Sequence, residues 1–144
     1  MAARGAALAI DHGSKRTGFA VSDGLRIASQ ALDAWEGPGG SEALLEHVAR
    51  LLEPRDVETF VVGLPRNMDG TEGPRAAEVR EFARRLAARF PEVGVVLHDE
   101  SLSTKAAEDL LREAGHRGAA RRSRRDSWSA LVVLRDWIAA GEPR

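Results

Sequence analysis

Three points in the chain place carboxylates where solubility alone does not explain them. Asp11 closes the apolar run Ala6-Ala-Leu-Ala-Ile10. Asp99 and Glu100 close a second run, Val93-Gly-Val-Val-Leu-His98. Asp126 follows directly on an arginine-rich stretch and opens a hydrophobic segment. An acid at the end of a buried strand is costly to keep dry and charged, so it needs a partner. Acids that converge repel one another and raise each other's pKa. A divalent cation removes that conflict. Mg²⁺ and Mn²⁺ take oxygen ligands, and two ions about 4 Å apart stabilise both the attacking and the leaving oxygen in phosphodiester hydrolysis. This chemistry requires neither cysteine nor histidine. Each acid also has an ordinary explanation: Asp11 as a turn former before His12-Gly13, Asp126 as a first-turn acid favoured by the helix dipole, Glu100 as a surface residue. Strand alternation does not choose between Asp99 and Glu100, because neighbours point to opposite faces.

The elements that must position these acids follow from hydrophobic periodicity. Ala6 to Asp11 and Arg16 to Ser22 read as two strands of a hairpin, with Gly18 marking a bulge or close backbone approach. Ile27 to Trp35 reads as a third strand. Ser41 to Glu53 carries Leu44, Leu45, Val48, Leu51 and Leu52 at helical spacing, with Ser41 as N-cap. Glu58 to Gly63 is a strand, and Leu64 to Gly73 is a polar loop. Pro74 opens a helix that runs to about Phe90. Val93 to His98 is the last strand. Ser103 or Thr104 caps a helix reaching Ala114, and a final helix runs from about Ser123 to Ala139. Strands separated by helices imply parallel crossovers. The expected fold is a single α/β domain over residues 1–144: one mixed five-stranded sheet, an antiparallel meander plus parallel strands, flanked by helices.

Bulk composition narrows the function classes. The chain has 144 residues, 43% hydrophobic and 30% charged, the size of one ordinary domain. It has no cysteine, which excludes disulfides, zinc–thiolate sites and cysteine nucleophiles. No apolar stretch approaches the roughly 20 residues that span a bilayer, and the N-terminal apolar run is too short for a signal peptide. A cytoplasmic protein without membrane contact is expected. The net charge of −1 argues against generic polyanion binding. It hides an asymmetry, however: Arg112, Arg117, Arg121, Arg122, Arg124 and Arg125 face a single acid, Glu113, within fourteen residues. A local basic patch of this kind suits phosphates; a solvated arginine-rich loop is the plainer explanation.

Four stretches, in this order, resemble the YqgF/RuvX family of Holliday-junction resolvases and precursor 16S ribosomal RNA nucleases. They are Ala9-Ile-Asp-His-Gly-Ser-Lys-Arg-Thr-Gly-Phe-Ala-Val-Ser-Asp23, Val61-Val-Gly-Leu-Pro-Arg-Asn-Met-Asp-Gly-Thr-Glu-Gly73, Asp99-Glu-Ser-Leu-Ser-Thr104 and Arg125-Asp-Ser-Trp-Ser-Ala130. The resemblance implies a ribonuclease-H-like fold. It implies metal-binding, catalytic acids at Asp11, Glu100 and Asp126, favouring Glu100 over Asp99, with Mg²⁺ or Mn²⁺ as cofactor. Lys15, Arg16 and the arginines Arg117, Arg121, Arg122, Arg124 and Arg125 would hold phosphates. Asn67 and Asp69 would face substrate, or serve as turn residues before Gly70. Thr104 fits a helix cap, and Ala130 lets its helix lie close to the sheet. Ser101 stands where the family commonly has Arg, which removes one candidate phosphate contact. His12 stands where a small residue or Pro is frequent. Trp128 replaces an aliphatic residue and reads as core packing rather than base stacking.

The expected function is a metal-dependent nuclease, of the two-metal-ion type, acting on structured nucleic acid and trimming the 5′ end of precursor 16S ribosomal RNA. Junction resolution is the alternative. It would need two active sites and hence a homodimer, whereas RNA trimming is open to a monomer. A non-catalytic RNA-binding maturation factor is a third reading. A nucleotide-phosphate loop at Asp11 to Gly18 is disfavoured, because the spacing is not that of a Walker A motif and one domain does not enclose ATP.

Overall fold

The computed structural model describes residues 5–100 and 127–144. The expected helix from Ser103 or Thr104 to Ala114, the basic segment and Asp126 lie outside the described residues.

Five strands form one sheet in the order β3-β2-β1-β4-β5. They are β1 (Ala6–Asp11), β2 (Arg16–Ser22), β3 (Ser29–Glu36), β4 (Val57–Leu64) and β5 (Gly94–Asp99). β1, β2 and β3 make the antiparallel meander. β1 pairs with β4, and β4 with β5, in parallel. The crossovers carry α1 (Glu42–Leu52) and α2 (Pro74–Arg89), and α3 (Trp128–Ala139) ends the chain. The mixed sheet expected from the sequence is therefore observed. β3 starts two residues later than its apolar pattern suggests. The backbone amides of Ile27 and Ala28 both donate to Asp23 Oδ1, at 2.8 and 3.1 Å, and Arg26 adopts φ +61°, so these residues belong to the turn. β5 likewise starts at Gly94, because the Val93 amide donates to Phe90 O in a turn at 3.1 Å.

The two faces of the sheet are built differently. On one, Leu8, Ile10, Phe19, Phe60 and Val62 pack with Leu44 and Val48 of α1 and with Val79, Phe82 and Leu86 of α2. On the other, Ala7, Ala9, Ala20, Ala31, Val61 and Val96 lie under α3, which presents Ala130, Leu131, Val133, Leu134 and Trp137. Burial of each large apolar side chain contributes about 1.5–3 kcal/mol. The alanine floor lets α3 approach closely enough to bury Trp137 completely. Trp128 packs at the edge of this second cluster, as expected from its helical position.

Candidate active site

Alternation along each strand decides which side chains reach the α3 face. Ala7 and Ala9 face α3, so Asp11, two further on, does too. By the same count from Val61, Gly63 faces α3, and from Val96, so does Glu100. The Glu100 amide donates to Leu64 O at 3.2 Å, which continues the β5 ladder one step past Asp99. Asp11, Gly63 and Glu100 thus stand at the carboxyl ends of three adjacent parallel strands, on one face, with glycine in the middle. Asp99 points to the other face. Of the two acids, Glu100 is therefore the one that shares a face with Asp11.

Gly63 makes the contact between the acids possible. A Cβ at Gly63 would lie 2.4 Å from Glu100 Oε2 and 3.2 Å from Val133 Cγ2. The carboxylate of Glu100 therefore lies across the bare glycine backbone towards Asp11, and the two acids share a hydrogen bond. Glu100 Oε2 is buried and has no hydrogen-bond partner. The carboxyl of Glu100 is pushed up to about 8, first by burial, then by the negative charge of Asp11 and by the hydrogen bond it donates there. Asp11 is also raised, because burial outweighs the opposing effects of that hydrogen bond and of Arg75.

Arg75 is a residue the sequence does not mark. It lies in the first turn of α2, which contains no acid and follows a Gly73 cap without a side-chain hydrogen bond. A cation there opposes the helix dipole. Its guanidinium donates to the carbonyl of His12 and pairs with Glu78, and its charge lowers the pKa of both Asp11 and Glu100. The unfavourable placement makes sense once the acids are in view.

The β1–β2 turn is tightly built. A Cβ at Gly13 would sit 2.0 Å from Arg16 O, so only glycine fits. His12 stacks on Phe82 with ring centroids 4.4 Å apart, and its Nε2–H donates to Gly39 O at 2.8 Å. Burial lowers its pKa, and its role is packing. Lys15 and Arg16 are exposed on the rim of this turn, and Arg16 Nε lies 3.7 Å from Glu36. Asn67 sits in the β4–α2 loop, hydrogen-bonded to Thr71 through both its amide and its side chain.

Ser127 draws the start of α3 to the same end of the sheet. The β2–β3 register shifts between Thr17 and Phe19. The Phe19 amide donates to Ser127 Oγ at 2.9 Å, across 108 residues of chain. Phe19 pairs with Ile10, next to Asp11, and Asp11 pairs with Gly18. The residue that follows Asp126 is thereby fixed beside the β1 end that carries Asp11. Among the described residues no group of three metal-ligating side chains occurs, and Asp126, Arg117, Arg121, Arg122, Arg124 and Arg125 lie outside them. The two acids that are described suit a hard divalent cation. Both donors are oxygens, both resist ionising without a counter-charge, and one buried oxygen has no partner.

Comparison with known proteins finds relatives over nearly the whole chain. Residues 5–140 match the family model RuvX, described as Holliday junction resolvase. A relative from Sodalis glossinidius, named "Putative pre-16S rRNA nuclease", is 40% identical over 138 residues, covering 96% of each chain. One of the same name from Halalkalibacterium halodurans is 38% identical over 132 residues, covering 91% of this chain and 94% of its own. Among solved structures, Thermus thermophilus RuvC superposes with a TM-score of 0.57 at 15% identity, covering 95% of this chain and 97% of its own. The fowlpox virus Holliday junction resolvase superposes with a TM-score of 0.54 at 12% identity, covering 94% and 98%. At such identities the likeness concerns the fold, which is ribonuclease-H-like. With the match running through both strand ends that hold the carboxylate pair, the chain belongs to the RuvX family, and its enzyme class is that of a nuclease, a hydrolase of phosphodiester bonds.

Proposed function

We propose that this chain is a Mg²⁺- or Mn²⁺-dependent nuclease that trims the 5′ end of precursor 16S ribosomal RNA in the cytoplasm, acting as one domain over residues 1–144. The observation that carries the reading is the meeting of Asp11 and Glu100 over Gly63, with a buried oxygen of Glu100 left without a partner. Asp11, Glu100 and Asp126 would hold the metal, which supplies a nucleophilic hydroxide at neutral pH and neutralises charge on the phosphoryl oxygens. Glu100 would have to give up its proton to serve as a ligand. Arg75 offsets the charge of the pair before then. The turn at His12–Lys15 keeps Asp11 in place, and Lys15, Arg16, Asn67 and Arg117, Arg121, Arg122, Arg124 and Arg125 would position the phosphate backbone. Relatives at 38–40% identity named for precursor 16S rRNA support RNA as the substrate.

The family model's own description, Holliday junction resolvase, favours a second reading in which a homodimer cuts branched DNA. The discriminating experiment incubates the full chain with a precursor 16S 5′-end RNA and with a four-way DNA junction, with Mn²⁺ or with EDTA. We expect Mn²⁺-dependent RNA cleavage that Asp11→Asn abolishes. Cleavage unaffected by EDTA or by Asp11→Asn would sink the metal site. Cleavage of the junction alone, by a dimer, would replace the RNA reading with the resolvase one.

A further inference from the structure

We infer that Arg75 is a further catalytic residue, whose guanidinium, anchored on the backbone of the β1–β2 turn, donates to a non-bridging oxygen of the scissile phosphate. The inference rests on the nuclease reading above.

Arg75 stands in the first turn of α2, at the end of the sheet where β1 and β4 deliver Asp11 and Gly63. Its Nη2 donates to the carbonyl of His12, the residue after Asp11. Its Nη1 donates to Glu78, an ion pair that spans one turn of the helix. The side chain is thus fastened by both arms of its fork. Even so, 42% of it stays exposed, so a substrate can reach it. A guanidinium presents five N–H donors. Two are spent on His12 and Glu78, and the rest meet no acceptor among the described residues.

The anchoring leaves the acids uncovered. Arg75 acts on Asp11 and Glu100 through its charge, which lowers the pKa of both, while its ion pair is with Glu78. A guanidinium bonded to the carboxylates themselves would compete with a cation for their oxygens. Held on the neighbouring residue, it does not compete, and its remaining donors are open to an anion that arrives at the acids. For a nuclease that anion is the phosphate to be cut.

The chemistry of the group suits that partner. A guanidinium fork matches two phosphate oxygens and stays charged throughout the working pH range. In phosphoryl transfer, negative charge is spread over the equatorial oxygens, and an arginine held in place stabilises it where it develops. Arg75 neither gives nor takes a proton in this role. Lys15 and Arg16 lie exposed on the rim of the same turn, and Arg16 is met by Glu36. Arg75 differs from them in being tied to the residue beside Asp11.

The test separates a phosphate contact from a mere counter-charge. Calorimetry follows Mn²⁺ binding to the full chain, and single-turnover cleavage at saturating Mn²⁺ is measured on whichever of the two nucleic acids the parent cuts. A counter-charge alone predicts that Arg75→Gln tightens Mn²⁺ binding and leaves the saturated rate unchanged. We expect instead that the saturated rate falls about a hundredfold while Mn²⁺ binding is no weaker. Arg75→Lys keeps the charge and loses the fork, so it should bind Mn²⁺ like the parent and recover part of the rate. A second substrate carries a methyl group in place of one non-bridging oxygen at the cut, with a 2′-deoxy sugar beside it if the substrate is RNA. In one of its two stereoisomers the parent should slow, and Arg75→Gln should then cost no more than about twofold beyond that. An unchanged saturated rate in Arg75→Gln, or an equal loss on the phosphate and on both methyl stereoisomers, overturns the inference and spares the nuclease reading. A parent chain that cuts neither nucleic acid with Mn²⁺ overturns both.

Discussion

Glu100 holds a proton near neutral pH because three causes act in one direction: burial, the charge of Asp11 and the hydrogen bond between them. Its folded pKa of about 8 lies above the ordinary 4.5, so the folded state binds more protons than the unfolded one across that window. The contribution of Glu100 to the stability of the metal-free protein is then fully present below pH 4.5 and is lost as pH rises through about 8. Thermal unfolding in EDTA should show a melting temperature that drops from pH 5 to pH 8. Glu100→Gln, which cannot ionise, should flatten that slope and melt higher than the parent at pH 8. Mn²⁺ should restore the parent and leave the variant unmoved. A parent curve that rises over the same interval would contradict the shared proton. Asp11 is legible in the sequence because it ends an apolar run, whereas only the family resemblance picks Glu100 from its neighbour Asp99. Arg75 is not legible, because a first-turn arginine looks like a minor mismatch until two acids on other strands are set before it.

Within the elements, β4 carries the least obvious determinant of the site. Gly63 sits in the apolar run Val61-Val-Gly-Leu64, where a glycine in a strand can signal close approach of another group. The sequence does not say which group, since Glu100 is 37 positions away. The bulge near Gly18 is easier to read, and the register shift beside it bears that out. Gly63→Ala would put a methyl 2.4 Å from Glu100 Oε2. We expect Glu100 to be displaced, with about 1–3 kcal/mol of stability lost to overpacking and cleavage reduced at least a hundredfold. Mn²⁺ titration by calorimetry and a cleavage assay check this. Tight Mn²⁺ binding and full activity in the variant would show that Glu100 has no need of the glycine. The starts of β3 and β5 were hidden for a different reason. Ile27 and Val93 have strand-like side chains, but their amides are bound in turns.

Across the molecule, the alternation of strand and helix after residue 41 was enough to imply parallel crossovers, and β1–β4 and β4–β5 are parallel pairs. What composition could not show is that one face is floored with alanine and is packed, among the described residues, by α3. That helix is tied down at its first turn by Ser127. Ser127→Ala would leave the Phe19 amide buried without a partner, at a cost of about 1–3 kcal/mol. We expect a lower melting temperature, faster hydrogen exchange at the Phe19 amide, and weaker Mn²⁺ binding although no acid is altered. Unchanged exchange at Phe19 would mean that another acceptor takes over. The reliance of the site on a hydrogen bond between residues 19 and 127 is invisible to any local pattern.

That same bond sets a clock on the nascent chain. The strands that carry Asp11 and Glu100 are complete once residue 100 has emerged. At ordinary rates of about 5–20 residues per second, Ser127 follows some one to five seconds later. Until it does, α3 cannot pack on the alanine face, and the acids lack the burial that α3 supplies. A chain still attached to its ribosome therefore carries the parts of a phosphodiesterase without their assembly, and cleavage should begin only when the last helix closes over the sheet.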